Sequence, residues 1–208
     1  MIPELVQELH FFHENEVKIL NSKIDLLSNN FVSANLGYND GEVHDFSSKN
    51  VRSNTLLYLP DKSEDASYRE LIDFIHPRLN ENLLKYRDNL IKVSKVFDTY
   101  PVPGGSYTTS YREDIHISEY VKDQEFIYHV DQSPIETAKE SKRKISILIY
   151  LNNDFEGGYT EFLNRKYKPK PGYGLIFPSN WCYPHKGSRV TSGKKRIIVT
   201  WYYVNLAI

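Results

Sequence analysis

The chain has 208 residues, 40% hydrophobic and 25% charged, and 26 Lys and Arg against 27 Asp and Glu leave a formal net charge of -1. That balance describes a soluble globular chain with length for one substantial core, and it gives no global attraction to nucleic acid or to an acidic membrane surface. The single cysteine, Cys182, excludes an internal disulfide and a Cys-rich zinc site.

The first stretch, MIPELVQELHFFHENEV, is acidic and amphipathic and lacks the basic and apolar regions of a secretory signal. No apolar run approaches the roughly 20 residues needed to span a bilayer. A cytoplasmic protein is expected, with no nucleic-acid or membrane partner. Across 3–27, Leu5, Val6, Leu9, Phe12, Leu20, Ile24 and Leu27 recur at helical spacing, which predicts helix with room for a break near Glu14–Glu16. VRSNTLLYLP (51–60) reads as a strand closed by proline. In 67–95, the residues Leu71, Ile72, Ile75, Leu79, Leu83, Tyr86, Leu90 and Val93 form one apolar stripe, a second helix that Pro77 kinks or splits.

After residue 100 the punctuation changes. YPVPGGSY is a turn or loop. Short aromatic and β-branched runs then follow at 115–121, 125–131, 144–151, 159–163, 173–177, 184–190 and 195–204, separated by Gly, Pro and Asn clusters. Many short strands at near-regular spacing predict a barrel or a double-sheet jelly roll. The polar segment 131–144 is long for a hairpin; it is either a lid or substrate-binding element, or an ordinary mobile loop.

One of these runs carries chemistry. In FIYHVDQSP (126–134), His129 and Asp131 point to the same side of a strand because side chains alternate. A third ligand must come from elsewhere, and His185, 53 residues beyond Asp131, is the candidate. Two imidazoles and a carboxylate form the facial triad of non-haem Fe(II) oxygenases, which leaves positions open for a co-substrate and O2. A structural zinc site would need a fourth ligand, and none is obvious. Ten residues after His185 comes Lys195, which shares a strand face with Ile197, Val199 and Trp201. An inward cation beside a metal calls for an anionic partner, such as a dicarboxylate held on the metal by its other end.

From about Ile115 to Tyr203 the chain resembles the catalytic core of the 2-oxoglutarate- and Fe(II)-dependent dioxygenases, closest to their prolyl hydroxylase branch. The matching strings are YVKDQEFIYHVDQSP, KISILIYLNNDFEGGYTEF, KPKPGYGLIFPS and PHKGSRVTSGKKRIIVTWYY, in family order. VRSNTLLYL is similar to an upstream Arg-Ser strand of prolyl 4-hydroxylases. The resemblance implies a mainly β protein with a double-stranded β-helix (jelly-roll, cupin-like) core supported by N-terminal helices. It implies one domain over 1–208, with 1–100 as helical support and flanking strand and 105–205 as catalytic core.

It also implies roles. His129, Asp131 and His185 match the iron ligands. Lys195 matches the basic partner of the 2-oxoglutarate carboxylate; Arg196 is the alternative, and parity with Trp201 favours Lys195. Tyr120 and Tyr150 match co-substrate tyrosines, and Trp201 an aromatic beside the target residue. Arg143 or Lys144 matches a basic substrate contact. Phe126 stands where family members often have Tyr, which makes it a packing residue. The implied reaction consumes O2 and 2-oxoglutarate, hydroxylates a C–H bond and releases succinate and CO2, with ascorbate as an optional reductant. The expected substrate is a proline-containing peptide or protein; another side chain, a free amino acid or a small molecule is the alternative within the same chemistry. A non-catalytic ligand-binding jelly roll is the rival from a different class, and oligomeric state stays open. His10 and His13 can meet on a helix without forming a site. His44, His76 and His116 read as surface or satisfied core residues, and Cys182 as no nucleophile.

Overall fold

The computed structural model describes residues 4–34, 52–98 and 108–206; the 100–107 turn and His44 lie outside them. In chain order the elements are β1 (Gln7–His10), α1 (Glu14–Asp25), β2 (Val32–Ser33), β3 (Thr55–Leu59), α2 (Ala66–Ile91), β4 (Thr108–Arg112), β5 (Ile115–Val121), β6 (Phe126–His129), β7 (Arg143–Tyr150), β8 (Glu156–Gly157), β9 (Thr160–Phe162), β10 (Lys166–Tyr167), β11 (Tyr173–Pro178), β12 (His185–Gly187), β13 (Val190–Ser192) and β14 (Lys194–Leu206). The major sheet runs β1-β11-β7-β14-β5-β3-β2, with β4 pairing the far end of β14. The minor sheet runs β10-β9-β12-β6, and β13 pairs with β8. Of the barrel and the double-sheet jelly roll that the strand spacing allows, this is the jelly roll.

Alternation along the strands divides the major sheet into two faces. Ile115 and Ile117 of β5, Ile147 and Ile149 of β7 and Ile198 of β14 are buried in one cluster with helices α1 and α2. Their neighbours Tyr120, Tyr150 and Ile197 turn the other way and pack with Leu175 and Phe177 of β11 and Phe162 of the minor sheet. The helices therefore cover one face and leave the other to enclose a site.

Helix α2 starts where Asp65 caps it, accepting from the amides of Ser67 and Tyr68 at 2.8 and 3.4 Å. It runs unbroken through Pro77. An interior proline costs about 3 kcal/mol, but burying Leu71, Ile75, Leu79 and Leu83 on the sheet outweighs that. The stripe ends sooner than expected, because Val93 lies beyond the helix and is exposed.

The N-terminus differs from the helical reading. Residues 7–10 form an edge strand on β11, in register Gln7 with Ile176 through His10 with Tyr173. Leu5 and Leu9 pack toward the helical cluster and Val6 toward the space between the sheets, a period of two rather than 3.6. Pairing with a free sheet edge overrides the helical spacing. The helix begins only at Glu14, where Glu16 accepts from the His13 amide at 2.8 Å. Strand 125–131 is likewise shorter, ending at His129, and 184–190 divides into β12 and β13.

Candidate metal centre and co-substrate pocket

Strands β6 and β12 are neighbours, and their register sets His185 directly opposite His129. The two imidazole centroids are 4.4 Å apart. Asp131 lies two residues past the end of β6, and its carboxylate still turns to the side of the His129 ring. Asp131 Oδ1 lies 3.6 Å from His129 Nε2, and Oδ2 lies 3.6 Å from His185 Nε2. All three donor atoms lie within 4.8 Å of one another, and among the described residues no other group of His, Cys, Asp and Glu converges in this way.

The surroundings prepare these atoms for a cation. His129 Nδ1 meets the Ile127 carbonyl at 2.8 Å, and His185 Nδ1 meets the Tyr183 carbonyl at 3.1 Å. A ring nitrogen facing a carbonyl carries the proton, which leaves the Nε2 of each ring as the atom turned to Asp131. Burial pushes the His185 imidazole down to about 4, more than Asp131 raises it, so it is neutral near pH 7. For Asp131 burial alone would raise the carboxyl. His185, His129 and the Ser146 hydroxyl outweigh it and hold the group ionised, well below the usual carboxylate range. Phe126 stacks on the His129 ring with centroids 3.5 Å apart, which fixes the ring plane.

Lys195 faces the same pocket. It is 2% exposed, its Nζ donates to the Gly158 carbonyl at 2.7 Å, and the Tyr120 and Tyr150 rings lie 5.4 and 5.8 Å away. Burial pushes its ammonium down to about 7. Gly187 is a near neighbour of the cation: a Cβ there would stand at ordinary contact distance, 3.9 Å, from that Nζ. Arg196, one residue on, points to the opposite face. It donates to Glu119 and Asp25 at 2.7 Å each and to the Asn21 side chain at 2.9 Å, tying α1 to the sheet. These contacts occupy Arg196 outside the pocket.

The remaining candidates divide. Tyr120 and Trp201 line the pocket with Lys195 and the three ligands. Tyr150 is wholly buried, and its hydroxyl donates to Thr160 Oγ1 at 2.8 Å; Thr160 is the one of the two that lines the pocket. Arg143 grips the buried Glu113 through two hydrogen bonds of 2.7 and 2.8 Å, donates to the Asp131 carbonyl and stacks on Trp201 at 3.7 Å. Lys144 contributes its main-chain carbonyl, which accepts from the Ser179 amide. His116 departs from a satisfied core role: its ring lies edge-on to Trp201 and Tyr58, and its Nδ1 is buried with no hydrogen-bond partner among the described residues, as is the Trp201 indole N–H.

Several contributors are not evident from sequence. Ser146 donates to Asp131 Oδ2 at 2.6 Å, and Ser179 sits 2.8 Å behind it. A serine inside the apolar run ISILIY is the one available signal for Ser146. Glu113, Thr160 and Gly158 carry none, since each depends on what faces it; Arg52, which also lines the pocket, is the arginine of the Arg-Ser strand.

The site fits a ferrous ion and a dicarboxylate. Two imidazole nitrogens and one ionised carboxylate make an N2O donor set with other positions free, and a buried ammonium lining the same pocket suits an anion. The family model described as "2OG-Fe(II) oxygenase superfamily" matches residues 115–203. An Acanthamoeba polyphaga mimivirus protein named "Putative prolyl 4-hydroxylase" is 38% identical over 108 residues, 43% of this chain and 44% of that protein, so the chain spans less than half of that relative. A viral collagen prolyl hydroxylase from Paramecium bursaria Chlorella virus-1, solved as a 2OG complex, superposes with a TM-score of 0.63 at 20% identity over 96% of both chains. A Trichoplax adhaerens prolyl hydroxylase, solved with a hypoxia inducible factor peptide fragment, gives 0.63 at 16% identity over 96% of this chain and 83% of that one. Through residues 115–203, which hold all three converging ligand side chains, the chain is similar to the 2OG-Fe(II) oxygenase superfamily.

Proposed function

We propose that the protein is a 2-oxoglutarate-dependent dioxygenase that hydroxylates a prolyl residue in a peptide or protein. The observation that carries this reading is the meeting of His129, Asp131 and His185 on the wall of a pocket that also holds the buried Lys195. Bound Fe(II) would supply the redox chemistry that couples O2 and 2-oxoglutarate to hydroxylation of an unactivated C–H bond, with succinate and CO2 released.

The chain's own part is holding and orienting. His129 and His185 offer their Nε2 atoms, and Asp131 offers the negative charge that a divalent cation needs. Lys195 takes the far carboxylate of 2-oxoglutarate, exchanging the Gly158 carbonyl for a charge-assisted contact. Tyr120 walls that end of the pocket, and Tyr150 acts through Thr160. Trp201, with a free indole N–H, packs against the substrate residue, and Arg143 holds the Trp201 ring face. Apolar walls from Leu148, Phe177 and Val199 limit water near the reacting atoms.

The prolyl substrate is supported by the relatives' names and by the peptide in the Trichoplax structure. Within this reading the chain acts as one dioxygenase domain at a cytoplasmic address. No helix among the described residues is long and apolar enough to cross a membrane. The test is incubation with Fe(II), 2-oxoglutarate and a library of proline-containing peptides, with mass spectrometry for gain of one oxygen and an assay for succinate. Oxygen gained on another residue would replace the prolyl assignment. No succinate with any substrate would favour the binding module.

A further inference from the structure

Asp131 has two carboxylate oxygens, and the structure treats them differently. Oδ2 accepts from Ser146 Oγ at 2.6 Å. Ser146 Oγ in turn lies 2.8 Å from Ser179 Oγ, and both serines are about 1% exposed. A hydroxyl carries one proton. An ionised carboxylate only accepts, so the Ser146 proton goes to Asp131, and Ser146 must accept from Ser179. The direction of the chain is thereby fixed, from Ser179 to Ser146 to Asp131.

Its far end is anchored by backbone. The Ser179 amide donates to the Lys144 carbonyl at 3.0 Å, and the Ser179 carbonyl accepts from the Gln132 amide at 2.9 Å. The relay thus ties β7, the end of β11 and the segment just after Asp131 to one carboxylate oxygen. Each oxygen lies 3.6 Å from one ring nitrogen, Oδ1 from His129 Nε2 and Oδ2 from His185 Nε2, but among the described residues only Oδ2 also accepts from a hydroxyl. A carboxylate binding a metal through both oxygens would fill one position more than a carboxylate binding through one. A keto-acid and O2 together need every position the three side chains leave.

We propose that Ser146 and Ser179 form a directed hydroxyl relay that makes Asp131 a one-oxygen ligand by keeping Oδ2 engaged with a hydroxyl. The proposal rests on the iron-site reading above. Both serines are positioning residues that act through Asp131.

The test is Co(II) binding to the full chain, followed by its visible absorption spectrum and by competition for affinity, in wild type, Ser146→Ala, Ser146→Thr, Ser179→Ala and His185→Ala. Wild type should bind Co(II), and His185→Ala should not; failure of either would remove the metal-site reading itself. With those controls in place, Ser146→Ala should lose about 10-fold or more in affinity, the range for removing a group that supports a ligand. Its Co(II) spectrum should also change, reporting a second carboxylate oxygen on the metal. Ser146→Thr keeps the hydroxyl and should stay near wild type in both. Ser179→Ala should shift both in the same direction by less. Wild-type affinity and spectrum in folded Ser146→Ala would overturn the relay, as would equal losses in the Ala and Thr variants. Should Ser146→Ala not fold, an unchanged affinity and spectrum in Ser179→Ala would overturn it.

Discussion

Strand β14 places two cations side by side, Lys195 and Arg196, and the two faces of the major sheet use them in opposite ways. On the outer face Arg196 is enclosed by Glu119, Asp25 and Asn21, with every partner supplied by the chain. On the inner face Lys195 is just as buried but, among the described residues, has one neutral carbonyl as its polar partner. A fully paired buried cation is a structural tie. A buried cation lacking a counter-ion is costly to the empty fold, and such a cost is retained where a ligand is to supply the charge. Substitutions on the outer face should therefore change stability, and those on the inner face ligand binding.

The largest separation should come from His185→Ala. Turnover should fall to the level without enzyme, with Fe(II) binding lost, while thermal unfolding still shows a cooperative folded protein. Collapse of the fold in this variant would erase the distinction between the faces.

Arg196→Ala should do the reverse. Breaking a buried ion pair costs about 3–5 kcal/mol, and the loss here, read by denaturant unfolding, should fall at the low end, because Glu119 keeps Lys194 at 3.2 Å and Asp25 is largely exposed. Affinity for 2-oxoglutarate in the folded fraction should be unchanged. A large loss of that affinity with little loss of stability would exchange the roles of the two cations.

Lys195→Ala should weaken 2-oxoglutarate binding by about 1.5–3 kcal/mol, the range for a hydrogen bond to a charged group, and leave Fe(II) affinity near wild type. Equal losses in both titrations would contradict the role given to Lys195. A pH dependence accompanies it. In the free protein burial pushes the ammonium down to about 7; a bound dianion favours the charged form and raises it again. Binding therefore takes up a proton, and affinity should fall by up to tenfold per pH unit as pH rises above about 7. Calorimetry in buffers of different ionisation enthalpy measures that uptake. Linkage gives the companion sign for stability. The folded value lies below the ordinary 10.5, so the ligand-free fold carries the full cost below about pH 7 and gains stability as pH climbs toward 10.5.

The smallest effect should be that of Tyr150→Phe. Removing a hydroxyl bonded to Thr160 costs about 0.5–1.5 kcal/mol of stability, and the freed Thr160 Oγ1 should shift 2-oxoglutarate affinity only slightly. A shift as large as that of Lys195→Ala would mean that Tyr150 touches the co-substrate directly.

Local patterning alone determined a good deal. Strand alternation places His129 with Asp131 and Lys195 with Ile197, Val199 and Trp201, because a period of two is a property of the extended chain. Turn residues spaced along the second half announce a jelly roll, and the apolar stripe announces α2. What local pattern could not reach is what faces each residue across space. Leu5, Val6 and Leu9 fit helical spacing as well as a strand, and the free edge of β11 decided between them. The register of β6 on β12 brings His185 opposite His129, and no spacing of 53 residues specifies a register. The three partners of Arg196 come from distant parts of the chain, and the relay behind Asp131 joins residues 131, 146 and 179. Sequence thus fixes which side of a strand a group faces, since that depends on neighbouring bonds; tertiary packing alone decides what it meets there.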